Sequence, residues 1–98
     1  VSNPVAPDAP TAFTAVTAGS DIVLDWTNGV TGYSKTRIYS GSTSVFDAAS
    51  VLADVTGVAG QPSTYTDTPA AGTWYYWVVT LNPSLVASTE TGPQSDTV

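Results

Sequence analysis

The sequence contains no cysteine, no histidine and no methionine, and its only basic residues are Lys35 and Arg37. Without cysteine there is no disulfide and no thiol chemistry. Without histidine the commonest general base and the commonest metal ligand are both missing. Eight acidic residues against two basic ones leave a net charge of −6. A chain this acidic cannot neutralise a row of phosphates, so no nucleic-acid partner is expected. An anionic membrane surface would repel it for the same reason. No apolar run approaches membrane-spanning length, so no membrane insertion is expected. The opening VSNPVAPDAP has neither the basic nor the apolar region of a signal peptide, and the chain reads as a segment of a longer protein.

Charge of either sign is scarce as well. Charged residues make up 10% of the chain, well below the usual quarter. The surface must therefore be built from Thr, Ser, Gly and Asn, a composition common in extracellular and virion-borne β proteins. Hydrophobic residues supply 42% of the 98 positions, enough for one domain with a single core. Pro4, Pro7 and Pro10 favour an extended, linker-like backbone. We read residues 1–9 as linker and 10–98 as the domain.

Beyond Pro10, short apolar runs recur between turn residues at the spacing of an antiparallel sandwich. DIVLDW sets Ile22, Leu24 and Trp26 on one face and Val23 and Asp25 on the other, the alternation of a half-buried strand. Asn28-Gly29 is a turn signal, because both residues tolerate positive φ. TRIYS puts Thr36, Ile38 and Ser40 on one phase, Arg37 and Tyr39 on the other. Residues 42–55 are expected to form a loop with one helical turn capped by Asp47, leading into a short edge strand near Val51 to Val55. STYTDT is a strand with Tyr65 inward, and Ser95 to Val98 ends the last strand. Nothing helical of useful length appears, so the fold class is all-β.

Against that frame stand several separated motifs: Pro10, Trp26 in IVLDW, Ile38-Tyr39 in TRIYS, and AGTWYYWVVTLN. Together they resemble a fibronectin type III domain over nearly the whole chain. The resemblance implies a seven-stranded antiparallel β-sandwich of immunoglobulin-like topology. It also implies that Tyr75 is the buried tyrosine of the corner before the sixth strand, bonded back to the backbone just upstream. Ala71 stands where the family usually has proline. The series RIYSGSTSVFDAASVLADV…STYTDTPAAGTWYYWV is similar to type III repeats of bacteriophage tail, tail-tip and fibre proteins, with Ser40 in place of an arginine. Related repeats also occur in secreted bacterial polysaccharide-degrading enzymes.

No constellation of catalytic residues stands out. The acids are scattered singly, with no pair at the spacing glycoside hydrolysis requires. No run supplies the roughly six to eight oxygens of a calcium site. We therefore expect no catalytic residues, no cofactor, no metal and no enzymatic activity. The remaining question is GTWYYWVVTLN, in which both phases of a strand are apolar. If Tyr75 points inward, so do Trp77, Val79 and Leu81, joining Phe13, Ile22, Leu24, Trp26, Ile38 and Tyr65 in the core. Trp74, Tyr76 and Val78 then face outward beside Arg37 and Tyr39, with Arg37 stacked on Trp74 or Tyr76.

Such a patch is as large as any on a monomer and needs a cover or a purpose. Three readings stand in order: a lid formed by Phe46 and Leu52 of the 42–55 segment, a protein contact, and a glycan platform. The candidate contact surface is Arg37, Tyr39, Trp74, Tyr76 and Val78, with Leu85 and Val86 in the following loop. The function expected is a non-catalytic structural or adhesive module of a surface assembly, in the first place a phage tail. The alternative is a carbohydrate-binding or spacer module of a secreted polysaccharide-degrading enzyme. Its partners would be neighbouring domains or subunits, or a cell-surface glycan, and its place the virion tail or the extracellular space.

Overall fold

The computed structural model describes residues 6–98. Seven strands appear in the order β1 (Thr11–Ala18), β2 (Asp21–Thr27), β3 (Lys35–Gly41), β4 (Ser50–Val55), β5 (Pro62–Asp67), β6 (Thr73–Leu81) and β7 (Thr91–Thr97). They form a three-stranded sheet, β1-β2-β5, packed on a four-stranded sheet, β4-β3-β6-β7. Every pairing is antiparallel. This is the sandwich that the fibronectin type III resemblance implies.

The three-stranded sheet follows its sequence pattern. Ile22, Leu24 and Trp26 are buried, and each lies on the inward phase that alternation assigns. They meet Phe13 from β1, Ile38 from β3 and, partly buried, Tyr65 from β5. The final strand is longer than its pattern suggests, because β7 begins at Thr91 and carries Gly92 and Pro93 through a register shift opposite Trp77. A single 3-10 turn, Phe46–Ala48, precedes β4, and its N-cap is Val45 with no side-chain cap. Asp47 therefore does not cap it: the turn starts two residues earlier, so Asp47 lies inside it.

Strand β6 departs from the sequence reading by one residue. Tyr76 and Val78 are fully buried in the core between the sheets, with Trp74 partly buried against it. Tyr75, Trp77, Val79 and Leu81 therefore occupy the outer phase. The partner strand dictates this choice. Ile38 pairs with Val78 and Thr36 with Thr80, whereas Arg37 pairs with Val79 and Lys35 with Leu81. Directly paired residues share a face, and the face of Arg37 and Lys35 cannot be the core. The corner role falls to Trp74, whose indole Nε1 donates to the Ala70 carbonyl at 2.8 Å. Tyr76 instead sends its hydroxyl to Asp67 Oδ2 at 2.7 Å.

A polar hub closes one end of the core. Trp26 Nε1 donates to Asn28 Oδ1 (2.8 Å), and Thr36 Oγ1 donates to the same oxygen (3.2 Å). Asn28 Nδ2 donates to the Val58 carbonyl (3.0 Å) and to Ser63 Oγ (2.8 Å). Beside this hub Thr80 is fully buried, and its hydroxyl has no hydrogen-bond partner. An unpaired buried hydroxyl is costly. Thr80→Val, of nearly equal shape, is expected to stabilise the domain by about 1 kcal/mol. The check is a rise in the urea midpoint, and a fall would show that the hydroxyl is needed.

The described part of the N-terminal stretch is docked on the sandwich. Pro7 is buried. Asp8 N–H donates to the Thr31 carbonyl (3.0 Å), and Thr31 N–H donates to Asp8 Oδ2 (3.1 Å). Gly29 and Gly32 permit this approach, since a Cβ at Gly29 would strike the Asp8 carbonyl and one at Gly32 would crowd the Pro7 ring. Residues 6–9, read as linker from sequence, thus lie against the β2–β3 loop, while residues 1–5 fall outside the described residues.

Candidate contact surface

With β6 in its observed register, the outer face of the four-stranded sheet is made by the odd-numbered residues of β3 and β6, of which Val79 and Leu81 are buried, as expected of them, at 2% exposure each. Tyr39 pairs with Trp77 and Gly41 with Tyr75. Phe46, from the 3-10 turn, lies over this pair. Its ring meets Tyr39 edge-on at 5.0 Å and Trp77 at a tilt, 5.7 Å away. The backbone of Gly92 closes on the other side of Trp77, where a Cβ would stand 3.2 Å from the indole. Trp77 is accordingly only 2% exposed although it belongs to the outer face.

The 42–55 segment therefore covers this face through one residue. Phe46 does lie over the outer face, but it covers Trp77 and Tyr39 rather than the expected Trp74, Tyr76 and Val78, and Leu52 packs against the core between the sheets. The reason is the irregularity in the β3–β4 pairing, where Ile38 opposes Ala53 and Tyr39 opposes Val51, skipping Leu52. Around the lid, Tyr39, Phe46 and Tyr75 keep partial exposure. Val45 and Val51 are more than half exposed.

The two cations of the chain meet one carboxylate at the edge of the same face. Arg37 forms a fork on Asp54, Nε to Oδ1 at 2.8 Å and the terminal nitrogen to Oδ2 at 3.1 Å. Lys35 Nζ reaches Asp54 Oδ2 at 2.9 Å. Arg37 therefore does not stack on Trp74 or Tyr76: those rings lie on the opposite side of the sheet. The Arg37 fork holds the Asp54 carboxyl down at about 2, with Lys35 adding to it against a smaller effect of burial. The same fork raises Arg37 above its ordinary value.

Asp54 is depressed in the folded state, so its contribution to stability is complete above its unfolded value of about 4 and is lost as pH falls toward 2. The cluster sits at the surface, which limits that contribution to about 1 kcal/mol. Asp54→Asn is expected to lower the unfolding free energy at neutral pH by that amount, read from urea unfolding, and to flatten the acid limb between pH 4 and 2. An unchanged acid limb in the variant would show that other carboxylates carry it.

A second exposed feature is the β6–β7 turn. Asn82 Oδ1 accepts from the N–H groups of Ser84 and Val86, each at 2.9 Å, and the Asn82 and Leu85 backbones add two further bonds. This bonding holds Leu85 at φ +63 with 62% of its surface exposed. A leucine in the left-handed region is uncommon, and here the local bonds offset its cost. Val86 beside it is half-buried.

Of the candidate residues, then, Arg37 and Tyr39 are on the open face and Leu85 is on the turn, with Val86 at its flank. Tyr76 and Val78 are core and Trp74 is the corner. Sequence reasoning missed Phe46 as a ring partner of Tyr39, and missed Tyr75 and Val51 as surface. What separates the two phases is the pairing of Lys35 and Arg37 with Leu81 and Val79, which only the folded sheet reveals. Among the described residues the surface has no pocket, and no group of three acids gathers to hold a metal.

No family model and no curated protein matches the chain. Solved structures do share its fold. A Fn3-like protein from Clostridium thermocellum superposes with a TM-score of 0.74 at 22% identity, over 93% of this chain and 92% of that one. Pectate lyase Pel3 from Pectobacterium carotovorum gives a TM-score of 0.73 at 17% identity, over 90% of this chain and 27% of that one. Pectate lyase PelI from Erwinia chrysanthemi, in complex with tetragalacturonic acid, gives 0.70 at 16% identity, over 88% of this chain and 26% of that one. The chain thus spans about a quarter of the length of these two lyases and nearly all of the Fn3-like protein.

Proposed function

We propose that this domain is a non-catalytic spacer and contact module of a longer extracellular or virion protein. The observation that carries the reading is where the aromatic residues go. Trp26, Tyr76 and Trp77 are spent on the core and its outer layer. What remains outside is a flat face around Tyr39, Phe46 and Tyr75, and a rigid turn presenting Leu85. A surface without a pocket among the described residues suits contact with a neighbouring domain or subunit better than chemistry on a small molecule. The absence of His and Cys from the sequence points the same way. The shape, 48 × 26 × 17 Å, suits a spacer.

The sequence motifs shared with phage tail repeats support a tail or tail-tip protein as the host. A second reading rests on a specific observation: this sandwich matches a quarter of each of two pectate lyases. In that reading it is an accessory module of a polysaccharide-degrading enzyme. Its charge of −6, with both cations engaged by Asp54, would repel an acidic polysaccharide. A glycan partner would therefore be neutral, stacked on Tyr39 and Tyr75.

The test is to titrate the domain with tetragalacturonic acid and with neutral polysaccharides, following tryptophan fluorescence and product release. The contact-module reading expects no product and no saturable signal with any sugar. A saturable signal with a neutral polysaccharide, lost in Tyr75→Ser, would replace it with the accessory-module reading. Release of product would overturn both.

A further inference from the structure

The hub residue Asn28 has a chemical property that its structural role does not use. The chain has three asparagines: Asn3 and Asn82 each precede a proline, and Asn28 precedes Gly29. An asparagine loses its amide when the next residue's backbone nitrogen attacks its Cγ. Proline nitrogen carries no hydrogen and cannot take part in this way. Glycine, with no side chain to hinder approach and the widest conformational freedom, is the most permissive successor. Asn28 is therefore the single asparagine of this chain open to the reaction.

The folded structure opposes each step. Asn28 is 2% exposed. Its Oδ1 accepts from Trp26 and Thr36, and its Nδ2 donates to Val58 and Ser63. The backbone is held as well: Asn28 N–H donates to the Gln61 carbonyl, and the Gly29 carbonyl accepts from Gly60 N–H. Gly29 is pressed against Asp8. Turning the amide toward the Gly29 nitrogen would break all four side-chain bonds.

We propose that Asn28 is a deamidation site gated by folding: the native hub suppresses the reaction, unfolding releases it, and the product no longer refolds to full stability. In the open chain the deprotonated Gly29 nitrogen bonds to Asn28 Cγ, and Nδ2 departs as ammonia. One water then opens the succinimide at either carbonyl, leaving aspartate or isoaspartate. No electrons change hands, and the net exchange is water in and ammonia out. In the product the oxygen replacing Nδ2 would face the Val58 carbonyl with no proton between them, and a buried charge would sit where a neutral amide was satisfied. Unfolding at neutral pH thereby becomes progressively irreversible.

The experiment incubates the whole chain in native buffer and in concentrated urea at one mildly alkaline pH. Peptide mass spectrometry then follows acid formation at 28. The rate in urea is expected to exceed the native rate by roughly a hundredfold or more, since the native reaction waits on opening. Asn82 serves as the internal control and should stay intact in both. Ser63→Ala removes one acceptor of Nδ2 without altering the Asn-Gly pair. It should raise the native rate and leave the urea rate unchanged. Asn28→Asp should refold with a lower urea midpoint than the parent. Equal rates in buffer and urea, or a native rate indifferent to Ser63→Ala, would overturn the gate. An unchanged midpoint for Asn28→Asp would overturn the loss of refolding.

Discussion

Trp26→Ala is expected to lower the unfolding free energy by about 3–5 kcal/mol, out of a total of about 5–15 for a domain of this kind. Two losses combine. The ring is 2% exposed and lies between the sheets, so truncation opens a cavity that antiparallel strands on both sides cannot collapse to fill. The indole N–H also serves Asn28 Oδ1 and Thr36 Oγ1, 2.8 and 3.2 Å away; without it Thr36 Oγ1 loses that donor and Asn28 Oδ1 keeps only Thr36, in a buried site. Trp26→Phe separates the two. It keeps most of the volume and is expected to cost about 1–3 kcal/mol from the orphaned hub. Urea unfolding followed by far-UV circular dichroism measures both. A midpoint little moved by Trp26→Ala would remove this residue from the core.

Tyr76→Ala is expected to cost about 3–5 kcal/mol, and Tyr75→Ala less than about 1.5. The pair tests the register of β6, because adjacent residues on one strand face opposite sides of the sheet. Tyr76 is fully buried within the inter-sheet cluster, while Tyr75 is partly exposed opposite Gly41. The opposite order of effects would restore the register that sequence alone suggests. Titration gives a second view of the same residue. Burial raises the Tyr76 phenol above its ordinary value of about 10, and the hydrogen bond to Asp67 raises it further. Its folded value exceeds its unfolded one, so the stabilisation is complete below about pH 10 and is lost as pH rises beyond it. Tyr76→Phe should flatten the alkaline limb of stability.

The observed register also redistributes the aromatic residues between structure and surface. Had Tyr75 and Trp77 filled the core, the open face would have offered Trp74 and Tyr76 beside Arg37. Instead Arg37 is engaged by Asp54 and the open face is smaller, with Trp77 sealed by Phe46 and Gly92. The surface left for a partner is Tyr39, Phe46, Tyr75 and the Leu85 turn. That is why contact, rather than catalysis or tight sugar capture, is the function proposed.

Much of this was legible in the residues. Alternation in DIVLDW assigned the inward phase of β2, because one face of a two-sheet sandwich must be apolar and the other meets water. The turn signals bounded the strands, and the separated motifs pointed to seven strands in two sheets. Missing residue types narrowed the chemistry before any fold was known.

The phase of β6 was not legible. Both phases, Tyr75, Trp77, Val79 and Leu81 and Trp74, Tyr76 and Val78, are apolar, and only the resemblance that makes Tyr75 the buried corner tyrosine assigns the inward one. Pairing decided otherwise. Ile38 takes Val78 onto its own face, Lys35 and Arg37 take Leu81 and Val79 onto theirs, and the buried hub beside Thr36 admits a threonine inside. When both phases of a strand are apolar, its own alternation carries no choice of face. That choice belongs to the neighbouring strand, which is known only once the two are paired.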